Sequence, residues 1–246
     1  MKLLYQTHSP YARKVLVAAH EMGLQHRLCV VHHETSPTRR NEEVLALNPL
    51  GKVPVLICDD GAVLFDSNVI CEYLDAMHSN ARLIPGEPDA RFHALKMQAL
   101  AQGIADAAIG ARWEAARRPA QLRWPTMHDA QVQKIALACD FLEREIDDRE
   151  LSRAHREPGA HGAADAHSIA DARGAAPGAH GAPGGRAVGP RRPDIGDIAL
   201  VTALSWVEFR RVYDFLPGRP RLAAWYGALC ARPSMLATAL AGETQD

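Results

Sequence analysis

The stretch that decides the fold is "VPVLICDDGAVLFDSNVICEYLDAM", residues 53–77. Two apolar runs flank Asp59-Asp60-Gly61. Asp-Gly between such runs is a strong hairpin signal, because both residues tolerate the positive φ of a tight turn. Directly afterwards the period changes. Val69, Ile70, Tyr73, Leu74 and Met77 recur at helical spacing, which predicts a helix over 67–77 with these five on one face. Asp66-Ser67 stands at its start, and Ser67 reads as the cap whose hydroxyl accepts a first-turn N–H.

Towards the N-terminus, "KLLYQ" (2–6) reads as a strand and Pro10–Met22 as a helix. Ser9 is a favoured cap residue, Pro10 suits the first helical position, where its missing N–H costs nothing, and Gly23 ends the helix. "HRLCVV" (26–31) reads as a second strand and "NEEVLALN" (41–48) as a short helix stopped by Pro49. The order β-α-β-α-β-β-α predicts an α/β domain over residues 1–80 with a mixed four-stranded sheet.

From Pro88 onward the strand signals vanish. Residues 89–118 read as a long Ala-rich helix with Gly103 and Gly110 as candidate break points. Residues 129–150 carry a stripe of Val132, Ile135, Ala136, Cys139, Leu142 and Ile146. Residues 197–212 are apolar nearly all round, which marks a central buried helix, and 221–232 form a last helix before Pro233. Residues 86–246 therefore read as an all-helical domain.

One segment of it differs in kind. Residues 152–193 hold eight of the 18 glycines and five of the 16 prolines, and Pro-Gly-Ala-His-Gly-Ala occurs at both 158–163 and 177–182. Such a composition buries too little apolar surface to offset ordering entropy, so the segment is expected to be a disordered insert. Its histidines (His155, His161, His167, His180) read as parts of a polar spacer rather than as metal ligands. Two helix starts compete nearby, "HSIAD" (167–171) and "PDIGD" (193–197). Only the second leads into a long apolar run, so the helix is expected to start at Asp194.

Composition narrows the function. The chain has 246 residues and a formal net charge of -1, which argues against binding nucleic acid by neutralising many phosphates. No apolar run approaches the ~20 residues that span a bilayer, and "MKLLYQTHSP" does not read as a signal peptide. Cys29, Cys58, Cys71, Cys139 and Cys230 are scattered and never spaced C-x-x-C. A metal or disulfide framework is not expected, and a reducing cytoplasm is the default.

Four fragments, "SPYARKV" (9–15), "NPLGKVPVL" (48–56), "FDSNVICEYLD" (65–75) and "ARPSM" (231–235), together resemble the soluble glutathione S-transferases, especially small bacterial members. The likeness covers nearly all of 1–150 and 194–236. It implies a thioredoxin-like N-terminal domain, a C-terminal helical bundle, a homodimer and a cytoplasmic detoxifying enzyme with glutathione as co-substrate. It implies that Pro54 is cis, with the Val53 backbone pairing with the cysteinyl part of glutathione as a short added strand. Asp66 would take the ligand's ammonium, although many members carry Glu or Gln there. Ser67 and the helix start behind it would hold the γ-glutamyl carboxylate, and Lys52 would meet a ligand carboxylate.

The resemblance also places Ser9 opposite the ligand thiol. A thiol of pKa ~8.5 is mostly protonated at neutral pH, and lowering it by two units takes roughly 2.7 kcal/mol of preference for the anion. A hydroxyl donor and a helix N-terminus together supply an effect of that order. Ser9 reads as both cap and thiolate donor, with Thr7 as the second candidate. Neither residue 9 nor residue 12 is Cys, so a mixed disulfide there is not expected. Ile104, Ala108 and Trp113 are candidate walls of an electrophile pocket or simply core, and Asp106 is a candidate for reaching glutathione or a partner subunit. The implied reaction is attack of the thiolate on a small apolar electrophile. Isomerisation, dehalogenation and peroxide reduction stay open, and so does a non-catalytic binding or regulatory module.

Overall fold

The structure is a computed structural model that describes residues 1–80, 82–154 and 192–242. Strand β1 (Lys2–Tyr5) sits inside a sheet of order β2-β1-β3-β4. It runs parallel to β2 (Cys29–His32), with Leu3 opposite Val30, and antiparallel to β3 (Val55–Ile57), with Leu3 opposite Leu56. β3 pairs antiparallel with β4 (Val63–Leu64) through the expected turn, where Gly61 has φ +86° and Asp60 Oδ1 accepts the Ala62 N–H. Successive side chains of β1 leave opposite faces of the sheet. Leu3 enters the large core shared with the helices, and Leu4 enters a small cluster with Val44, Val53 and Val55.

Helix α1 (Pro10–Met22) matches its predicted span, capped by Ser9 and ended by Gly23 at φ +73°. After it, residues 25–27 form a 3-10 turn and β2 begins only at Cys29, three residues later than expected. A short α2 (Glu42–Leu45) and α3 (Ser67–Ala76) complete this half. The turned face of α3 differs from the expected one: Ile70, Cys71 and Leu74 are buried, while Val69 is exposed.

In the helical half, α4 (Pro88–Arg112) passes Gly103 and Gly110 unbroken and continues as a π-helical turn over Trp113–Arg117. α5 (Pro125–Ala154) starts four residues before the expected 129, with Pro125 at its first position. α6 (Ile195–Phe209) is the buried central helix. Asp194 caps it, accepting the Asp197 N–H at 3.0 Å while Asp197 accepts the Asp194 N–H at 3.0 Å. α6 lies so close to α4 that a Cβ on Gly196 would stand 2.7 Å from Met97 Cβ and 2.8 Å from the Ala94 carbonyl. α7 (Pro220–Cys230) and α8 (Pro233–Leu236) close the bundle. The "HSIAD" motif, the repeated hexapeptide and the histidines of 152–193 lie outside the described residues.

The two halves are joined chiefly through α1. Arg13 donates to Ser205 Oγ at 2.7 Å and to the Met235 carbonyl at 3.0 Å. Glu21 accepts hydrogen bonds from Arg232 Nε and Nη2, at 2.8 and 2.7 Å, and from the Ser234 hydroxyl at 2.6 Å. The Trp206 indole N–H donates to the His8 carbonyl at 2.8 Å. Between α3 and α6, buried Asp75 accepts the N–H groups of Leu83 and Ile84, and the Leu83 carbonyl accepts the Ile195 N–H.

Candidate functional site

The Val53–Pro54 peptide is cis, and the ladder between β1 and β3 begins only at Leu4–Val55, which leaves Val53 outside it. Asn48 holds the approach to this point: its side-chain N–H donates to the Lys52 carbonyl at 2.8 Å and its Oδ1 accepts the Leu50 N–H at 3.0 Å. Val53 and Pro54 are buried, and Lys52 is exposed.

At the start of α3 the structure reverses one expectation. Asp66, not Ser67, is the cap: its Oδ1 accepts the Asn68 N–H at 2.9 Å. A carboxylate on a short side chain reaches the first-turn N–H groups from the cap position as well as a hydroxyl does. Ser67 moves to the first helical position, 1% exposed, and its hydroxyl has no hydrogen-bond partner among the described residues. An unpaired buried hydroxyl costs free energy that a bound polar group would recover.

At the start of α1, Ser9 is the cap that the sequence indicates. Its hydroxyl accepts the Ala12 N–H at 3.2 Å, which leaves its own proton free to donate. Thr7 precedes it, with its carbonyl accepting the Ala241 N–H of the C-terminal segment at 3.3 Å. His8 between them is buried with both ring nitrogens lacking a hydrogen-bond partner among the described residues. Burial, with smaller contributions from Arg210, His32 and Arg112, pushes the imidazole below its ordinary pKa against the pull of Glu34.

The two helix starts stand side by side. Lys14 of α1 donates to Asn68 Oδ1 of α3 at 2.7 Å, and Gln98 of α4 donates to the same oxygen. The Tyr11 phenol of α1 donates to Asp106 of α4, and burial together with that carboxylate keeps the phenol protonated well above its usual range. Asp106 thus meets Tyr11. Of the other residues weighed on α4, Ile104 and Ala108 are fully packed in the core, and Trp113 is half-buried with the Arg117 guanidinium over its ring. A shallow cleft between α1, α4 and α6 is lined by Tyr11, Lys14, Ala101, Gln102, Ala105 and Thr202.

The cysteines offer no competing nucleophile at these helix starts. Burial pushes the Cys71 thiol up to about 11 and the Cys139 thiol up to about 12. Among the described residues no cluster of three metal-ligating side chains is found, and no helix is long and apolar enough to cross a membrane.

The sequence reading missed Lys14 and its partners. A signal was present: Lys14 stands four residues before the buried Ala18, so helical spacing already puts a cation on an apolar face. Its partner Asn68, and Gln98, which donates to the same oxygen, could not be read, because they lie 54 and 84 residues away in the chain.

Comparison with known proteins bears on the fold and the family. A family model described as the N-terminal domain of glutathione S-transferase matches residues 8–77. The chain is 34% identical over 151 residues to the uncharacterised GST-like protein YibF of Escherichia coli K12, covering 61% of this chain and 72% of that protein. A crystal structure of a glutathione transferase family member from Pseudomonas fluorescens Pf-5, with bound glutathione, superposes with a TM-score of 0.76 at 34% identity, covering 96% of this chain and 97% of that one. A glutathione S-transferase from Methylobacillus flagellatus, also with glutathione bound, gives 0.71 at 30% identity, covering 98% and 99%.

Proposed function

Because the chain belongs to the glutathione S-transferase family, we propose that it binds glutathione and activates the thiol as a thiolate that attacks a small apolar electrophile. The Val53 N–H and C=O, presented by cis-Pro54, take the cysteinyl segment as an added strand. Asp66 receives the ammonium, while Ser67, the first-turn N–H groups of α3 and Lys52 receive carboxylates. Ser9 donates its hydroxyl proton to the sulfur, and the start of α1 adds the favourable end of its dipole. The observation that supports the catalytic reading most is the Ser9 hydroxyl, which is held by the Ala12 N–H and keeps its proton for a ligand.

The chemistry asked of these residues is positioning and stabilisation of an anion. The ligand would lie between the sheet half, read as residues 1–80, and the helical half that follows it. The assembly we infer is a homodimer, supported by Leu50, Val69 and Phe92, large apolar side chains that are 68%, 47% and 68% exposed in one copy.

The test is Ser9→Gly. Glycine at a helix cap costs only a few tenths of a kcal/mol relative to serine, so the fold is kept while the donor is lost. Turnover at saturating glutathione is expected to fall roughly ten- to a thousandfold, the worth of one anion-stabilising donor, with the acid limb of the pH–rate profile moved upward. Unchanged turnover and an unmoved profile would shift the role to Thr7 or a backbone N–H. Retention on immobilised glutathione without turnover on any electrophile class would make the protein a binding module.

A further inference from the structure

Lys14 is 4% exposed, in the body of α1. Its acceptor is the neutral Asn68 Oδ1, 2.7 Å away, and among the described residues no carboxylate forms an ion pair with it. A buried ammonium without a paired anion is costly and is retained where something repays the desolvation. The same place holds two more unsatisfied groups, the Ser67 hydroxyl and Gln98 Oε1, neither with a partner among the described residues. Asn68 ties these to the ligand side. Its N–H donates to Asp66 Oδ1 at 2.9 Å, its side-chain amide reaches Asp66 Oδ2 at 3.4 Å, and its Oδ1 takes both Lys14 and Gln98.

We propose that Lys14 is a positioning residue for the γ-glutamyl head of glutathione: its buried ammonium, held against Asn68 Oδ1, is the counter-charge behind the α3 start for the ligand's α-carboxylate. The inference rests on the glutathione reading above. Free N–H groups at the start of α3 face an incoming carboxylate, and the ammonium behind them raises the positive potential there without touching the ligand. Burial lowers the Lys14 pKa, with Cys71 and Asp66 opposing that shift. The Cys71 thiol is itself held neutral by burial, so Asp66 is the negative group facing the ammonium.

Isothermal titration of two peptides separates this role from that of a strut between the halves. One is glutathione. The other is γ-aminobutyryl-cysteinyl-glycine, which keeps the ammonium and lacks only the α-carboxylate. The wild type is expected to prefer glutathione. Lys14→Met is expected to weaken glutathione binding about tenfold, the scale of one interaction with a charged group, and to leave the decarboxylated peptide's affinity unchanged. Equal losses on both peptides, or no loss on either, would overturn the proposal. If Lys14→Met does not fold, Lys14→Gln, which keeps a donor for Asn68 Oδ1 without the charge, is held to the same comparison. A wild type that binds neither peptide would overturn the glutathione reading itself, and with it this inference, before any substitution is made.

Discussion

Ser9 and Ser67 carry the same side chain at two neighbouring helix starts, and the structure gives them opposite circumstances. Ser9 is already engaged by the Ala12 N–H, so its loss weakens a cap as well as any chemistry. The Ser67 hydroxyl has no hydrogen-bond partner among the described residues, so it contributes no bond to the protein's own structure. Ser67→Ala is therefore expected to leave the melting temperature unchanged or slightly raised. The Michaelis constant for glutathione should rise about tenfold, as for a hydrogen bond to a charged group, with kcat nearly constant, because the carboxylate it would hold is present equally before and during reaction. A lowered melting temperature, or a fall in kcat at unchanged Michaelis constant, would remove this role. Asp66 is legible as a helix start from its neighbours alone. Which of Asp66 and Ser67 does the capping is not, since both fit and the choice depends on where the preceding strand delivers the chain.

The helices were readable to the extent that their ends are local events. Ser9-Pro10 and Gly23 delimit α1, and Asp194 with Asp197 opens α6, because each cap is closed by residues within one turn. Faces were less readable. Val69 shares helical spacing with Tyr73, yet it is exposed, because packing against α1 and β3 fixes how α3 is rotated. Gly103 and Gly110 do not break α4, since packing against α5 and α6 outweighs a propensity cost of about 1 kcal/mol per glycine. Gly196 is the glycine that matters: only hydrogen fits between α6 and the Met97 and Ala94 atoms of α4. Gly196→Ala is expected to push the two helices apart at a cost of about 1–3 kcal/mol. Thermal melting should fall by several degrees, at roughly 2–4 °C per kcal/mol for this size; an unchanged melting temperature would mean that the contact yields without cost.

At the scale of the whole molecule the seam between halves carries polar contacts beside its apolar packing, and one of them depends on pH. Burial pushes the Glu21 carboxyl up, but the hydrogen bonds from Arg232 and Ser234 outweigh it and hold the group below its ordinary value. A carboxyl depressed by folding stabilises the protein above its unfolded pKa of about 4.3 and loses that contribution as pH falls through the folded value. Glu21→Gln is thus expected to lower the melting temperature at pH 7 and to narrow the gap from wild type as the pH drops below about 4. A gap that stays constant down to pH 3 would assign the effect to packing. Sedimentation velocity tests the other whole-molecule reading: a mass of two chains is expected, and a single-chain mass at micromolar concentration would remove the homodimer. The sequence carried the order of the two halves, because period and turn chemistry are local. It did not carry the seam, whose partners lie 192 to 222 residues apart.

That seam has a consequence for recombination. Arg13, Lys14 and Glu21 all project from the thirteen residues of α1 whose first turn also presents Ser9. A chimera that joins another relative's sheet half to this helical half at residue 80 would bring a foreign α1 onto Ser205, Arg232, Ser234 and the Met235 carbonyl. Exchange between relatives must therefore carry the end of α6 and the start of α8 together with α1, or strand a buried guanidinium and a carboxylate without their partners.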